Sequence, residues 1–401
     1  MAHQKCDFLI VGGGVIGISL AFSLSTTFPD ASIIVLEKER ESGLHASGRN
    51  SGVLHAGFYY TADSLKARFT KEGNEELSEF CRAKGLSLNA CGKLVVASDE
   101  EQDRSLDILY ERGQRNGVSL DMLSAKEATE IEPKVRTLRR ALYSPATSVV
   151  DPNEVLSELI LEATANGVRF EYDACFLHFD GTSVHTASKA FEAGYVVNAA
   201  GLYADRVAHN FGFGQDYHLL PFKGIYLYGT SGAMPLNTLI YPVPDLRNPF
   251  LGVHFTLTVS GQVKIGPTAI PAFWPEQYGW LENFHFDEFL RTTGRHMKLM
   301  MGGDPMFREL AFEEVKKYSR SYLVSQASKL ADGVRSADFK TWGRSGIRAQ
   351  LINKNTQKLE MDFIIEGDKR SMHVLNAVSP AFTCALPFSR YVVEQIEKNL
   401  S

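Results

Sequence analysis

The chain is poor in cysteine, and its few cysteines do not pair. Cys6, Cys81, Cys91, Cys175 and Cys384 are scattered and odd in number, and none forms a C-x-x-C unit. This excludes a disulfide framework and points to a reducing compartment, in which such thiols serve as small semi-buried apolar groups. No metal site is expected from them. An excess of basic charge is also missing: Lys and Arg number 42 against 47 Asp and Glu, net −5, with the signs interspersed. There is thus no electrostatic footprint for nucleic acid and no polybasic anchor for anionic lipid. Long apolar runs are absent too. Residues 8–22, FLIVGGGVIGISLAF, come closest, but they are short for a membrane span, are broken by three consecutive glycines and lack the cleavage pattern of a secretory signal. They read as mature structure. No repeat or low-complexity segment occurs.

What remains is an ordinary globular composition, 44% hydrophobic and 22% charged, over 401 residues. That length suits one large domain or two smaller ones sharing an interface. Residues 7–11 predict a buried strand, 14–26 a helix, and 31–38 a second strand rich in β-branched side chains. This βαβ opening implies a parallel, doubly wound sheet. A helix is expected over 64–84 with Gly85 as its stop, a strand over 93–98, and a capping box at Ser124–Glu127. A helix opens at Asp151-Pro152-Asn153, and a strand over 195–201 leads into another helix near Tyr203. From 217 to 266 the pattern changes to short strands (HLLPFKGIYLYG, TLIYPVP, PFLGVHFTLT, QVKIGP) divided by Gly, Pro and Asn, which suggests an antiparallel sheet. Residues 285–333 look mostly helical. The strands GIRAQLI and MHVLNAV follow, and a last helix covers 380–399.

The first loop, Gly12-Gly13-Gly14-Val15-Ile16-Gly17, satisfies G-x-G-x-x-G. Gly12 permits a tight turn, Gly14 lets backbone approach a pyrophosphate, and Gly17 permits close helix packing. Val15 and Ile16 open a helix whose N-terminal N–H groups carry partial positive charge. Glu37, at the end of the second strand with Lys38 beside it, is placed to accept hydrogen bonds from ribose hydroxyls. No second such motif appears, so one dinucleotide is expected. The stretch Gly48–Tyr60, GRNSGVLHAGFYY, decides which one. Ser47, Arg49, Asn50 and Ser51 offer a cation, an amide and hydroxyls for phosphate and ribitol. Gly52 and Gly57 leave backbone bare for a flat ring, with His55 between them. A flavin meets those needs.

These residues resemble a known family. VGGGVIGISLAFSL, VLEKE and SGRNSGVLHAGFYY, continued by YTADSLKARF, CGKLVVA, VVNAAGLYADRVA, LIYPVPD, PFLGVHFT, GIRAQ and NAVSPAFTCALP, are similar to the FAD-dependent oxidoreductases of the D-amino-acid oxidase superfamily. Within that group they most resemble the L-2-hydroxyglutarate dehydrogenases (oxidases), over nearly the whole chain. The resemblance implies an α/β (α+β) fold: a discontinuous Rossmann-like FAD-binding domain (1–84, 140–212, 335–401) and an antiparallel-sheet substrate domain (85–139, 213–334). It places Ala199, Ala200 and Gly201 beside the cofactor. It also aims the N-terminus of the last helix, at Ser379, Pro380, Ala381, Phe382 and Thr383, at the flavin pyrimidine, where developing negative charge would be stabilised. The electron acceptor would be oxygen or a quinone, and the location cytoplasmic with at most peripheral contact at the inner face of a membrane.

Oxidising a 2-hydroxy acid removes a hydride from C2 and a proton from the hydroxyl, so a base is needed. His55 on the loop is preferred; His254, in the strand GVHFT, is the other candidate and equally suits a core position. A dicarboxylate needs cations. Arg348 in GIRAQ is the expected carboxylate fork and Lys223 the second cation. Tyr60, Tyr226 and Tyr241 can donate hydroxyl hydrogen bonds. Relatives typically read PFRGEY or PFRGDY where this chain has PFKGIY, with Lys223 for the arginine and Ile225 for the acid. The main rivals are a superfamily enzyme acting on glycerol 3-phosphate or on an amine such as glycine or sarcosine, and a non-enzymatic flavin- or NAD-binding protein.

Overall fold

The structure is a computed structural model and describes residues 2–232, 234–244, 252–302 and 305–401. It contains two compact units interleaved in sequence: Met1–Asn50, Pro152–Pro221 and Arg348–Ser401 in the first, Ser51–Asp151 and Phe222–Ile347 in the second. Residues 51–84, 140–151 and 335–347 therefore fall in the second unit and 213–221 in the first, a different division from the one expected. Packing explains the shift. Helix Leu65–Lys84 lies against the short strands Val53–Leu54 and Leu88–Asn89, and strand Arg140–Ser144 belongs to the second unit's large sheet.

The first unit is built on a mixed sheet with a parallel centre and antiparallel strands, His178–Phe179, Ser183–His185 and Ile364–Gly367, added to it. Strand Ala2–Val11 pairs in parallel with Ile33–Leu36 on one side and Lys189–Asn198 on the other. Arg169–Glu171 and Ser371–Asn376 extend it outward, again in parallel. Leu9, Val11, Ile34, Leu36, Val184, Phe191, Val196 and Val207 form one buried cluster on it. Helix Val15–Thr27 is apolar on nearly every face, with Val15, Ile16, Ile18, Leu20, Ala21 and Leu24 all buried. A helix of that kind must be covered on all sides. Helices Pro152–Ala165 and Ala381–Leu400 both pack on it.

The second unit is built on an eight-stranded sheet. Its strands run, edge to edge, Phe339–Trp342, Leu227–Gly229, Val263–Gly266, His254–Leu257, Leu239–Pro242, Lys93–Val96, Arg140–Ser144 and Asp121–Ser124. Neighbours are antiparallel as expected, with one exception. Lys93–Val96 and Leu239–Pro242 run parallel, Leu239 opposite Lys93 and Tyr241 opposite Val95. Leu94, Val96, Ile240, Phe255, Leu257 and Ile265 enter a core closed by Leu323, Val324 and Ala327 of helix Arg320–Ala327. Each such burial stabilises by about 1.5–3 kcal/mol. Alternation along the strands puts Lys93, Tyr241, His254 and Lys264 on the opposite face. Of the expected strand over 249–258, residues 249–251 lie outside the described residues and the strand itself starts at His254.

Local signals act where they were read. Ser64 caps helix Leu65–Lys84 by accepting the Ala67 N–H at 3.1 Å, and Gly85 ends it in the left-handed region, φ 66°. Ser124 and Glu127 form a reciprocal capping box. Helix Glu100–Arg115, capped by Asp99 on the Gln102 N–H at 2.9 Å, was not anticipated.

Candidate functional site

In the first unit the chain turns sharply after Val11. Gly12 has φ 113°, and a Cβ there would lie 2.5 Å from the Ala199 carbonyl oxygen. A Cβ on Gly17 would lie 1.9 Å from the Gly12 carbonyl oxygen, so the third glycine lets the helix close on its own loop. Gly14, extended, precedes helix Val15–Thr27, and a Cβ on it would touch Ser47 Oγ at 3.0 Å. Ser47 Oγ accepts the Val15 N–H at 2.8 Å. The helix has no acidic residue in its first turn.

Glu37 follows strand Ile33–Leu36 and is buried. Its Oε2 accepts the Gly13 N–H at 2.9 Å and its Oε1 accepts the Glu39 N–H at 2.9 Å. The carboxylate is thus fixed against the glycine loop, and each oxygen retains a second lone pair. Lys38 and His45 both engage the Glu39 carboxylate, and Lys38 lies 5.8 Å from the centre of the Tyr203 ring. Arg49 Nε donates to the Leu44 carbonyl at 2.6 Å, and Asn50 Nδ2 donates to the Ser47 carbonyl at 2.6 Å. Both side chains brace the loop that carries Ser47.

The turn after strand Lys189–Asn198 is held by a residue the sequence reading passed over. Asn198 is fully buried; its Oδ1 accepts the Ala200 N–H at 3.1 Å and its Nδ2 donates to the Ala204 carbonyl at 2.8 Å. This fixes Ala199 against Gly12 and sets Gly201 at φ 55°. His373 Nδ1, 3.2 Å away, faces the same amide, and burial pushes its pKa down to about 4. Helix Ala381–Leu400 starts after Pro380 with no side-chain cap and no acid in its first turn. A bare glycine loop at a helix start with no acid in its first turn, with the Glu37 carboxylate fixed beside it, fits a dinucleotide's pyrophosphate and ribose.

In the second unit, residues 51–60 are held at many points. Lys264 Nζ donates to the Ser51 carbonyl at 3.0 Å, the Gly52 carbonyl accepts the Val150 N–H at 2.8 Å, and Asn74 Nδ2 donates to the Leu54 carbonyl at 2.9 Å. Arg112 donates to the Tyr59 carbonyl, and Asn116 Nδ2 to those of Gly57 and Tyr60. Half-buried His55 therefore sits on a rigid segment. Gly57 has φ 97°, and a Cβ there would come 3.2 Å from the Ala67 carbonyl oxygen and 3.3 Å from the Lys71 nitrogen. The bare Cα thus also serves the close approach of helix Leu65–Lys84.

The polar face of the large sheet gathers cations and rings. His254 stacks on Tyr241, centroids 3.7 Å apart, and its Nδ1 donates to the Gly252 carbonyl at 2.8 Å. Burial pushes its pKa down to about 3, with the nearby lysines adding to the effect, so the ring is neutral at physiological pH and a very weak base. Lys264 lies 4.8 Å from the Tyr226 ring and 5.8 Å from that of Tyr228, its pKa lowered by burial to about 8. Lys93 is fully buried among Phe58, Tyr59 and Tyr241. Lys223 lies off this sheet, on strand Tyr217–Gly224 of a separate three-stranded sheet, buried opposite Ile270, and its pKa is also lowered by burial. Tyr60 is half-buried, with Lys66 5.9 Å from its ring. The structure thus brings Tyr226 and Tyr241 to a face with His254, while Arg348, on strand Gly346–Asn353, belongs to the first unit. Lys93, Lys264 and Tyr59 join the candidates. Strand alternation alone could have found Lys264, but the rings around Lys93 come from distant segments.

Residues 7–395 match the FAD dependent oxidoreductase family. The chain belongs to that family. Its relatives within this FAD-dependent family include the L-2-hydroxyglutarate dehydrogenase of Escherichia coli K12, 32% identical over 98% of this chain and 94% of that one. The mitochondrial L-2-hydroxyglutarate dehydrogenases of Homo sapiens and Nematostella vectensis are 32% and 34% identical, over 98% of this chain and 89% and 90% of theirs. Similar solved structures include the L-alpha-glycerophosphate oxidase of Mycoplasma pneumoniae (TM-score 0.78, 24% identity, 98% and 95% coverage). The glycine oxidase of Geobacillus kaustophilus is another (TM-score 0.72, 18% identity, 99% and 95% coverage). At those identities the structures establish the fold alone. This FAD-dependent oxidoreductase is of the L-2-hydroxyglutarate dehydrogenase type, and its cofactor is FAD. Among the described residues no helix is long and apolar enough to cross a membrane.

Proposed function

We propose that the chain oxidises L-2-hydroxyglutarate to 2-oxoglutarate, with His55 as the base. The observation that carries this reading is full-length similarity to several dehydrogenases named for that substrate, joined to a histidine on a braced loop and a sheet face rich in cations. FAD, when bound, supplies the two-electron acceptor for the C2 hydrogen. Gly12, Gly14, Val15, Ile16, Gly17 and Ser47 would hold its pyrophosphate side, and Glu37 its ribose hydroxyls. Lys38, Arg49, Asn50, Ser51, Gly52, Ala200 and Gly201 would shape the rest of its bed. The first turn of the last helix, from Ser379-Pro380 through Ala381, Phe382 and Thr383, would offer partial positive charge.

The substrate hydroxyl gives its proton to His55 as C2 becomes a carbonyl carbon. His254 is unsuited to that task, because a group with a pKa near 3 holds a proton too weakly at neutral pH. It serves as a neutral hydrogen-bonding wall stacked on Tyr241. Arg348 forks one carboxylate, Lys223 and Lys264 are the further cations, and Tyr60, Tyr226 and Tyr241 donate hydroxyl hydrogen bonds. His55→Ala should lower kcat about 100-fold or more, whereas His254→Gln should cost less than about 10-fold. A mild effect of the first change, together with oxidation of glycine or sarcosine, would instead favour an amine substrate, whose neutral form needs no strong base.

For the electron acceptor, oxygen and a quinone are the two candidates. A peripheral membrane contact, which would suit a quinone, is supported by helix Phe286–Gly302. Phe286, Leu290, Met297 and Met301 form one exposed stripe on it, flanked by Arg291 and Lys298, and Trp280 nearby is 88% exposed. Such a stripe suits the headgroup boundary of a lipid surface. The holoenzyme should co-float with anionic vesicles and lose this on Trp280→Ser with Leu290→Ser; unchanged flotation would reject the contact.

A further inference from the structure

Lys93 has no task in the reaction as described, yet it carries the most fully enclosed ammonium on the sheet face. Its side chain is completely buried and Nζ has no hydrogen-bond partner among the described residues. The ring centres of Phe58, Tyr59 and Tyr241 lie 4.5, 4.6 and 5.1 Å from it. Cation–π attraction offsets part of the desolvation of a buried ammonium, and among the described residues no carboxylate is paired with it. The enclosure leaves a second group unsatisfied: the Tyr59 hydroxyl is buried and makes no hydrogen bond to the described residues. Among the described residues its titratable neighbours include Tyr59 and Tyr60 from the loop, Tyr241 from the adjoining strand and His254 from the next, none of them a carboxylic acid. A positive charge and an unsatisfied phenol donor, on the face that carries His254 and Lys264, together form a field suited to an anion.

We propose that Lys93, acting through the Tyr59 and Tyr241 rings that enclose it, sets this enzyme's preference for a dianionic 2-hydroxy dicarboxylate over a monocarboxylate. Lys93 is thus a specificity-setting, positioning residue. The inference rests on the 2-hydroxy acid reading above and names what selects within it. In surroundings of low dielectric the charge reaches several ångströms without direct contact. A second carboxylate meets favourable potential there, and a neutral end group gains nothing from it. Burial alone pushes the Lys93 pKa down to about 7, and an anion alongside must push it back up. Binding of a dicarboxylate near pH 8 should therefore take up protons.

The test compares wild type, Lys93→Met and Lys93→Arg as FAD-loaded enzymes. KM is measured for L-2-hydroxyglutarate and for L-2-hydroxybutyrate, and proton uptake on binding 2-oxoglutarate is measured calorimetrically in two buffers. Lys93→Met should raise the dicarboxylate KM about 10-fold or more, change the monocarboxylate KM less than about twofold and lower proton uptake below the wild-type value, the remainder belonging to Lys264. Lys93→Arg should keep the preference. Equal effects on both substrates, or absence of proton uptake in the wild type, would overturn the inference, and the second result needs no variant to fold. If wild type prefers the dicarboxylate but Lys93→Met shifts both substrates alike, only this inference fails. If no 2-hydroxy acid reduces the wild-type flavin, the parent reading fails with it.

Discussion

Glu37 shows how one side chain can serve fold and cofactor together. Its two oxygens hold the Gly13 and Glu39 N–H groups, and the same carboxylate is where ribose hydroxyls would bind. Glu37→Ala should weaken FAD affinity about 10-fold or more, and Glu37→Gln should weaken it less, because an amide oxygen can still accept one N–H. Flavin fluorescence during dialysis would measure both, and unchanged FAD retention in Glu37→Ala would reject the assignment. This residue was legible in the sequence because strand, glycine loop and carboxylate stand at a fixed spacing. Lys93 was not: CGKLVV reads as an ordinary strand, and its cage is assembled from Phe58, Tyr59 and Tyr241, which chain spacing does not connect to it. His254 read as either base or core group, and only its burial on Tyr241 separates the two.

At the scale of elements, legibility followed locality. The stop at Gly85 and the box at Ser124 are written within four or five residues, and both helices end or begin there. Helix Glu100–Arg115 carries a local signal too: an Asp99 cap, acids in the first turn and Arg112 and Arg115 in the last. Its charged sequence buries few apolar side chains, so hydrophobic periodicity says little. The parallel seam between Lys93–Val96 and Leu239–Pro242 joins residues nearly 150 positions apart, which no local pattern encodes. Gly57 was legible as a glycine with a purpose, and helix packing gives one that the sequence did not show. Gly57→Ala should destabilise the fold by about 1–3 kcal/mol in denaturant titration, chiefly from a positive φ that an L side chain rarely adopts, with close backbone contacts adding to it.

Across the whole molecule, three of the buried histidines, those whose pKa values burial lowers, shape the response to acid. His254, His296 and His373 have pKa values pushed by burial to about 3, 4 and 4, against about 6.5 when unfolded. The unfolded chain therefore takes up protons that the folded chain refuses. The stability they permit is present above pH 6.5 and is lost as pH falls toward 4. Each should cost about 2 kcal/mol between pH 7 and pH 5. Urea midpoints should fall over that range, and His296→Phe should flatten the slope; a midpoint independent of pH would contradict the assignment of neutral buried rings. The two-unit division was implied by the family resemblance, and the mainly antiparallel sheet of the second unit was legible from the change of pattern near residue 217. The segment boundaries depend on which helices pack where and were not.

The most direct test is an anaerobic titration of the purified, FAD-loaded protein with L-2-hydroxyglutarate, followed at the flavin absorption band near 450 nm. Stoichiometric bleaching by the L-acid, with weaker response to its D-enantiomer, glycerol 3-phosphate and glycine, is the predicted result. A flavin that stays oxidised with every 2-hydroxy acid but is bleached by glycerol 3-phosphate or an amine would contradict it.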